Sequence, residues 1–294
     1  MPSQDPSVPA SIKRHRSTLS VSAVIASTCI LAFSAGAAAR PSLPTTERVM
    51  AGFQEQASPG GVIPLTPLTG LTSLDATVTI NVDGTVNGKP TQGDLTAILT
   101  SNDQNMSQID VTGSLLGAVV AQVGGSAVSL FRPSKVSVYT VPEGTYAVVT
   151  GLLDLCVKPK DSTATAALDQ LSPQSLMATL TNSDVARGTF VGDETLNGTP
   201  VKHYVIDGGA FLAAAQASSD PNLHLFGQSL RSATDADLYV AADGGYPVAY
   251  RGGYSGTFEP LTFDGDFTVQ VDLTGINNNT PVTLPAACDK PISL

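Results

Sequence analysis

Between residues 76 and 273 the chain returns again and again to one pattern, apolar and polar side chains in alternation, broken by turn dipeptides. Ala76, Val78, Ile80 and Val82 alternate with Thr77, Thr79 and Asn81. A period of two sends successive side chains to opposite faces, so this segment predicts a strand with one apolar and one polar face. Asp83-Gly84 and Asn87-Gly88 read as turns, after which Leu95, Ala97 and Leu99 alternate again. Further strands are predicted over 108–112, 135–141 and 145–150, the last two joined by Pro142-Glu143-Gly144. Asn197-Gly198, between runs at 187–194 and 200–206, is the strongest hairpin signal, because both residues accept the positive φ of a tight hairpin turn. The chain ends as a meander: 236–241, a turn at Asp243-Gly244-Gly245, then 246–252 and 261–273, closed by Asn277-Asn278-Asn279. No interval repeats, which excludes a solenoid or a propeller.

Helical spacing is confined to insertions. Leu115, Leu116, Val119, Val120 and Val123 predict a short apolar helix, and 161–182 reads as two more, the second entered at Ser172-Pro173. Gly208 to Ser219 is Ala-rich and helical, and 221–230 forms another candidate. The fold class is therefore α+β and mostly β, with one β domain over 71–294. Residues 40–70, rich in Pro, Gly and Thr, read as a tether, with a short helix as the alternative between Thr46 and Gln56.

The N-terminus carries an export signature. Lys13, Arg14, His15 and Arg16 precede 21 uncharged residues, Leu19 to Ala39, and Val21 to Phe33 has the length of a signal-peptide h-region. Ala35-Gly36-Ala37 and Ala37-Ala38-Ala39 place small residues at the positions a signal peptidase reads. Segment 1–39 is thus a cleaved signal peptide or a retained N-terminal anchor, since 21 residues just span a bilayer. Either way the basic residues stay cytoplasmic and the rest is extracytoplasmic: secreted, periplasmic or at the cell surface. Cys29 follows Ala26-Ser27-Thr28, which lacks the Leu and the small residue of a lipidation signal.

Loss of 1–39 removes Lys13, Arg14, Arg16 and Asp5 and leaves 12 basic and 24 acidic residues, a net charge of -12. Two cysteines remain, Cys156 and Cys288, and a lone pair in an exported chain predicts a disulfide, with two buried thiols as the alternative. An acidic chain without a basic block excludes nucleic acid as a partner. Trp is absent and aromatic residues make up only 5% of the chain, which disfavours stacking platforms for bases or sugars.

No motif carries catalysis. His203 and His224 lack neighbours at metal-ligand spacing, so no metal and no cofactor is expected. Gly253-Tyr254-Ser255-Gly256 is not a nucleophile elbow, and no phosphate-binding loop ends in Lys-Ser or Lys-Thr. Asp264-Gly265-Asp266 lacks the further oxygen ligands of a calcium site and reads as a solvated turn. The expectation is a protein without catalytic residues.

The stretch Gly192-Asp193-Glu194-Thr195-Leu196-Asn197-Gly198-Thr199-Pro200-Val201-Lys202-His203-Tyr204 resembles the G-x-E-T-x-[ND]-G-x-P-x-x-H-Y hairpin of the LppX/LprG lipoproteins. Asp237-Leu238-Tyr239-Val240 with Asp243-Gly244-Gly245-Tyr246-Pro247-Val248 is similar to that family's V-x-V-W-V-D-x-D-G-x-P-V hairpin. Thr280-Pro281-Val282-Thr283-Leu284-Pro285 is similar to its closing P-V-x-I-x-x-P. These motifs fall in the same order and spacing over 185–288. The family belongs to the LolA-like superfamily of lipid carriers. The resemblance implies a curved antiparallel half-barrel with helices covering its concave side, and a hollow between them that holds acyl chains.

On that reading Val78, Ile80, Val82, Leu95, Leu99, Val136, Val138, Leu238, Val240, Val269 and Val271 are the candidate lipid-cavity walls on the sheet. Leu115, Leu116, Val119, Phe211 and Leu212 are the candidates on the covering helices. The expected function is non-enzymatic lipid or lipoprotein binding and transport. The expected partners are a lipid or acylated molecule and a membrane surface, met by a monomer. An envelope sensor or interaction module on the same fold, and a structural surface protein with a solid core, are the alternatives.

Overall fold

The alternating segments form strands that pair into a single sheet. The computed structural model describes residues 60–66, 73–104, 106–117, 133–152, 154–158, 185–258 and 263–293. The export segment 1–39, Cys29, the tether helix at 46–56, Val119, Val120, Val123 and the two helices predicted over 161–182 lie outside the described residues.

In chain order the strands are β1 (Gly61–Val62), β2 (Leu74–Val86), β3 (Lys89–Ser101), β4 (Ser107–Thr112), β5 (Lys135–Val141), β6 (Gly144–Thr150) and β7 (Leu155–Lys158). The hairpin β8 (Arg187–Leu196) and β9 (Thr199–Ile206) leads into helices α1 (Gly208–Ala217) and α2 (Pro221–Ser229). Then come β10 (Leu230–Ala233), β11 (Ala236–Ala241), β12 (Pro247–Phe258), β13 (Phe263–Ile276) and β14 (Ile292–Ser293). The order across the sheet is β1-β8-β9-β11-β12-β13-β2-β3-β4-β5-β6-β7-β14, with β10 added beside β12. The sheet is open, mostly antiparallel, and accompanied by two α-helices among the described residues. One pairing is parallel, β14 against β7.

The hairpin turns follow their chemistry. Asn87-Gly88 and Asn197-Gly198 all take positive φ, as do Gly244 and Gly245. Two predicted turns are strand instead. β2 runs straight through Asp83-Gly84, and β13 runs through Asp264-Gly265-Asp266, with Gly84 and Gly265 directly paired. A Cβ on Gly84 would come within 2.4 Å of the Asp264 carbonyl oxygen. Glycine here lets two backbones approach closely; it does not reverse the chain.

The helices are fixed by caps. The Asp207 carboxylate accepts from the Ala210 N–H at 2.7 Å and caps α1, and the Asp220 carboxylate accepts from the Leu223 N–H at 3.1 Å at the start of α2. Ala215 and Leu223 bury against each other's helix, and Gly227 sits where any side chain would strike the backbone of α1.

The outer face buries apolar side chains too, and Val201 of β9 and Ala241 of β11 pack together there with Val248. On the outer face of β5 and β6, Tyr139, Val141, Tyr146 and Val148 form a second cluster with Val282 and the bonded pair Cys156–Cys288. That disulfide joins residues 132 apart in sequence and ties the C-terminal 3-10 turn, Ala286–Asp289, over the outer face beside β7.

Candidate functional site

The register of the strands aligns their apolar residues into a belt. Phe190, Tyr204, Leu238, Tyr250 and Val271 are successive cross-strand partners on β8, β9, β11, β12 and β13. Val78, Ala97, Val111, Val136 and Val149 continue the row over β2, β3, β4, β5 and β6. Directly opposed side chains are the units that stabilise a sheet, and here ten of them share one face. We call this the inner face.

The predicted wall residues lie along and beside the belt. Val78, Val136, Leu238 and Val271 belong to it; the last two are each only 1% exposed. Ile80 stands between Leu95 and Val269 in the neighbouring row, half-buried, with both partners buried. Leu99 and Val138 both oppose Ile109 on the other side, and Val240 is buried near the end of β11. Leu116 is buried and Leu115 half-buried, its side chain lying over Gly93. Phe211 and Leu212 of α1 are half-buried against the same cluster. Val82 stands apart, half-buried, and on the opposite, polar face an open depression of about 440 Å³ has Val82, Gly93 and Phe267 as its floor and Asp83, Asp94 and Asp266 on its rim. Of these rim carboxylates Asp94 is the most strongly held. The Ser114 hydroxyl, at 2.7 Å, and the Ser114 backbone N–H donate to it and keep its carboxyl below the usual aspartate range.

The sequence reading missed the aromatic part of the inner face. Tyr254 stacks on Phe267 at 5.3 Å between ring centroids, and α1 and α2 bring Phe211 and Phe226 to 5.8 Å and 5.7 Å from it. Phe263 extends the group from the far side of Phe267. The Tyr250 hydroxyl is hydrogen-bonded to the Tyr254 hydroxyl, both buried. The legible signal was Tyr250-Arg251-Gly252-Gly253-Tyr254: residues four apart on a strand share a face, and Gly252 between them has no side chain to separate the phenols.

The outer face is polar at the matching height. His203 touches Glu194 through Nδ1 at 2.9 Å and Asp237 through Nε2 at 2.8 Å, and its ring stacks on Tyr239 at 4.5 Å. Burial first, then the charges of Asp237 and Glu194, push the Tyr239 phenol above its ordinary value. Arg251 lies over the same Tyr239 ring and donates to Asp272 at 2.7 Å. The two carboxylates saturate His203 as strand-borne cross-links, with no open coordination position. Among the described residues no group of three or more His, Cys, Asp or Glu side chains is placed to hold a metal ion. Among them, too, no helix is long and apolar enough to cross a membrane.

No family model and no curated protein matches the chain. Among solved structures it pairs with an outer membrane lipoprotein-sorting protein domain from Vibrio parahaemolyticus at 7% identity and a TM-score of 0.24, over 74% of this chain and 89% of that one. A DUF1329 family protein from Desulfovibrio piger pairs at 10% identity and a TM-score of 0.22, over 72% and 88% of the two chains. A LolA superfamily protein from Nitrosomonas europaea pairs at 8% identity and a TM-score of 0.20, over 72% and 87%. Likeness at this level carries no argument about activity, which rests on the chain's own residues.

Proposed function

We propose that this protein is an extracytoplasmic, non-enzymatic carrier that holds the acyl chains of lipids or lipoproteins against the inner face of its sheet. The observation that carries the reading is the belt from Phe190 to Val149, continuous over ten paired strands and overlaid by Phe211 and Phe226 from the helices. An acyl chain needs apolar walls and no directed chemistry, and each buried CH₂ contributes about 0.8 kcal/mol. The uncharged segment 19–39 delivers the domain to the compartment where such cargo resides, and a membrane surface is the place of exchange.

One observation favours a different reading. Val136, Leu238, Val240 and Val271 are as buried as ordinary core residues, which suits a solid-cored surface protein. Transfer of a fluorescent diacyl lipid between donor and acceptor vesicles separates the two. A carrier makes the transfer rate rise in proportion to protein concentration; a solid core leaves the rate at its protein-free value.

A further inference from the structure

The belt continues past its last buried member. Val149 of β6 is paired with Leu155 of β7, which shares its face of the sheet and is 36% exposed. Two residues on, Val157 presents to the same face and is paired with Ile292 of β14, 45% exposed. The turn between β6 and β7 adds Leu152, at 76% the most exposed large apolar side chain among the described residues. Of the seven such exposed side chains there, these three stand together at one corner of the sheet. The other four are apart from it: Ile98 on β3, Leu225 on α2, and Val62 and Val191 on β1 and β8 at the opposite edge.

The corner is covalently fixed. β7 has four residues and β14 two, lengths that fray when backbone pairing alone holds them. The Cys156–Cys288 bond removes that freedom, because Cys156 lies between Leu155 and Val157 and Cys288 lies four residues before Ile292. An isolated exposed leucine is ordinary, whereas adjoining ones on a fixed scaffold mark a contact surface. All three side chains are aliphatic. Protein-binding hot spots favour Trp, Tyr and Arg and disfavour Leu, while the hydrocarbon of a bilayer takes aliphatic side chains without demanding a matching shape. The row behind them points the same way, since an acyl chain lying along the belt passes from Val149 to Leu155 and leaves at this corner.

We propose that Leu152, Leu155 and Ile292 form a membrane-docking corner, which enters the hydrocarbon boundary of a lipid bilayer and sets the end of the belt against it. This rests on the carrier reading and adds the surface through which the carrier meets its membrane.

The chain has no tryptophan, so a single introduced one reports only on its own position. The test places it in the full chain as Leu152→Trp and, for comparison, as Leu225→Trp on α2, where the native side chain is 66% exposed. Each chain is mixed with phosphatidylcholine vesicles carrying brominated acyl chains, and lipid transfer between vesicles is followed with the same proteins. The emission of Leu152→Trp is expected to shift to shorter wavelength and to be quenched by the bromines, while that of Leu225→Trp stays as in buffer. Leu152→Ser/Ile292→Thr is expected to melt at the wild-type temperature and to slow transfer about tenfold. Transfer without quenching at Leu152→Trp overturns the corner and leaves the carrier reading intact. Equal quenching at both positions also overturns the corner, by placing the contact elsewhere on the chain. A shift that grows with protein concentration in the absence of vesicles overturns it in favour of a second copy of the chain. Quenching without transfer upholds the corner and overturns the carrier reading; loss of both overturns both.

Discussion

Gly84 sets how closely β2 and β13 approach, because its missing side chain leaves room for the Asp264 carbonyl and the Gly265 Cα. Valine at that position overpacks two backbones that have no freedom to separate. We expect Gly84→Val to destabilise the fold by about 2–3 kcal/mol, read from the urea midpoint at unchanged slope. The tyrosine pair makes a second prediction at this scale. Burial raises the Tyr250 phenol to about 12, and burial with the neighbouring Tyr250 raises Tyr254 well above its ordinary value. The unfolded chain releases these protons near pH 10 while the folded chain keeps them, so stability falls as pH rises from about 10 to about 12. For Tyr250 alone the loss is roughly 2–3 kcal/mol. Phenolate absorbance checks it: the late-titrating component disappears in Tyr250→Phe/Tyr254→Phe, and its absence from the folded wild type contradicts the account. The close approach at Gly84 was not legible in the sequence, where Asp83-Gly84 has the composition of a turn. A glycine used for close approach looks the same as one used for chain reversal.

Elements were more legible than residues. The alternation over 76–82 and the Asn-Gly signal at 197–198 located β2 and the β8–β9 hairpin, because one buried face imposes a period of two. β5 and β6 also lie where the sequence places them, although they lack a clean alternation. Both of their faces are buried, one in the belt and one under the C-terminal segment, so Val136, Ser137, Val138 and Tyr139 are all inaccessible in succession. The disulfide keeps that segment in place. Closing so long a loop adds roughly 4–5 kcal/mol on the chain-entropy view. Cys156→Ser/Cys288→Ser is therefore expected to lower the melting temperature markedly and to expose the β14 and β7 amides to hydrogen exchange before those of β2. Amides of β2 exchanging first contradicts this. On the inner face, Val82 and Leu238 mark two environments. Leu238→Ala removes a fully packed side chain and costs about 2–5 kcal/mol. Val82→Ala, at the half-buried end of the same face, is expected to cost under ~1 kcal/mol while weakening binding of a fluorescent acyl probe several-fold. A larger stability loss than at Leu238, or unchanged probe affinity, contradicts the placement of Val82 on the acyl-binding face.

At the scale of the whole molecule, the mostly-β class and the run of antiparallel neighbours followed from counting strands and turns. The strand order did not. The path from β13 back to β2 joins the last long strand to the first, and this pairing depends on side chains nearly 200 residues apart in the chain, Val271 on Val78 and Val269 on Ile80. Local periodicity names the face of each strand but not its neighbour. The same limit applied to the site: alternation identified apolar walls such as Val78 and Leu238, while the aromatic group and the tyrosine pair emerge only once β12, β13 and the two helices converge. The central claim is that this converged inner face holds acyl chains. Native mass spectrometry of the protein purified from its own host, followed by organic extraction of the bound material, tests it most directly. The account predicts one acyl-containing molecule per chain, released on unfolding. A ligand-free mass equal to that of the chain, together with no uptake of an acyl probe, would contradict it.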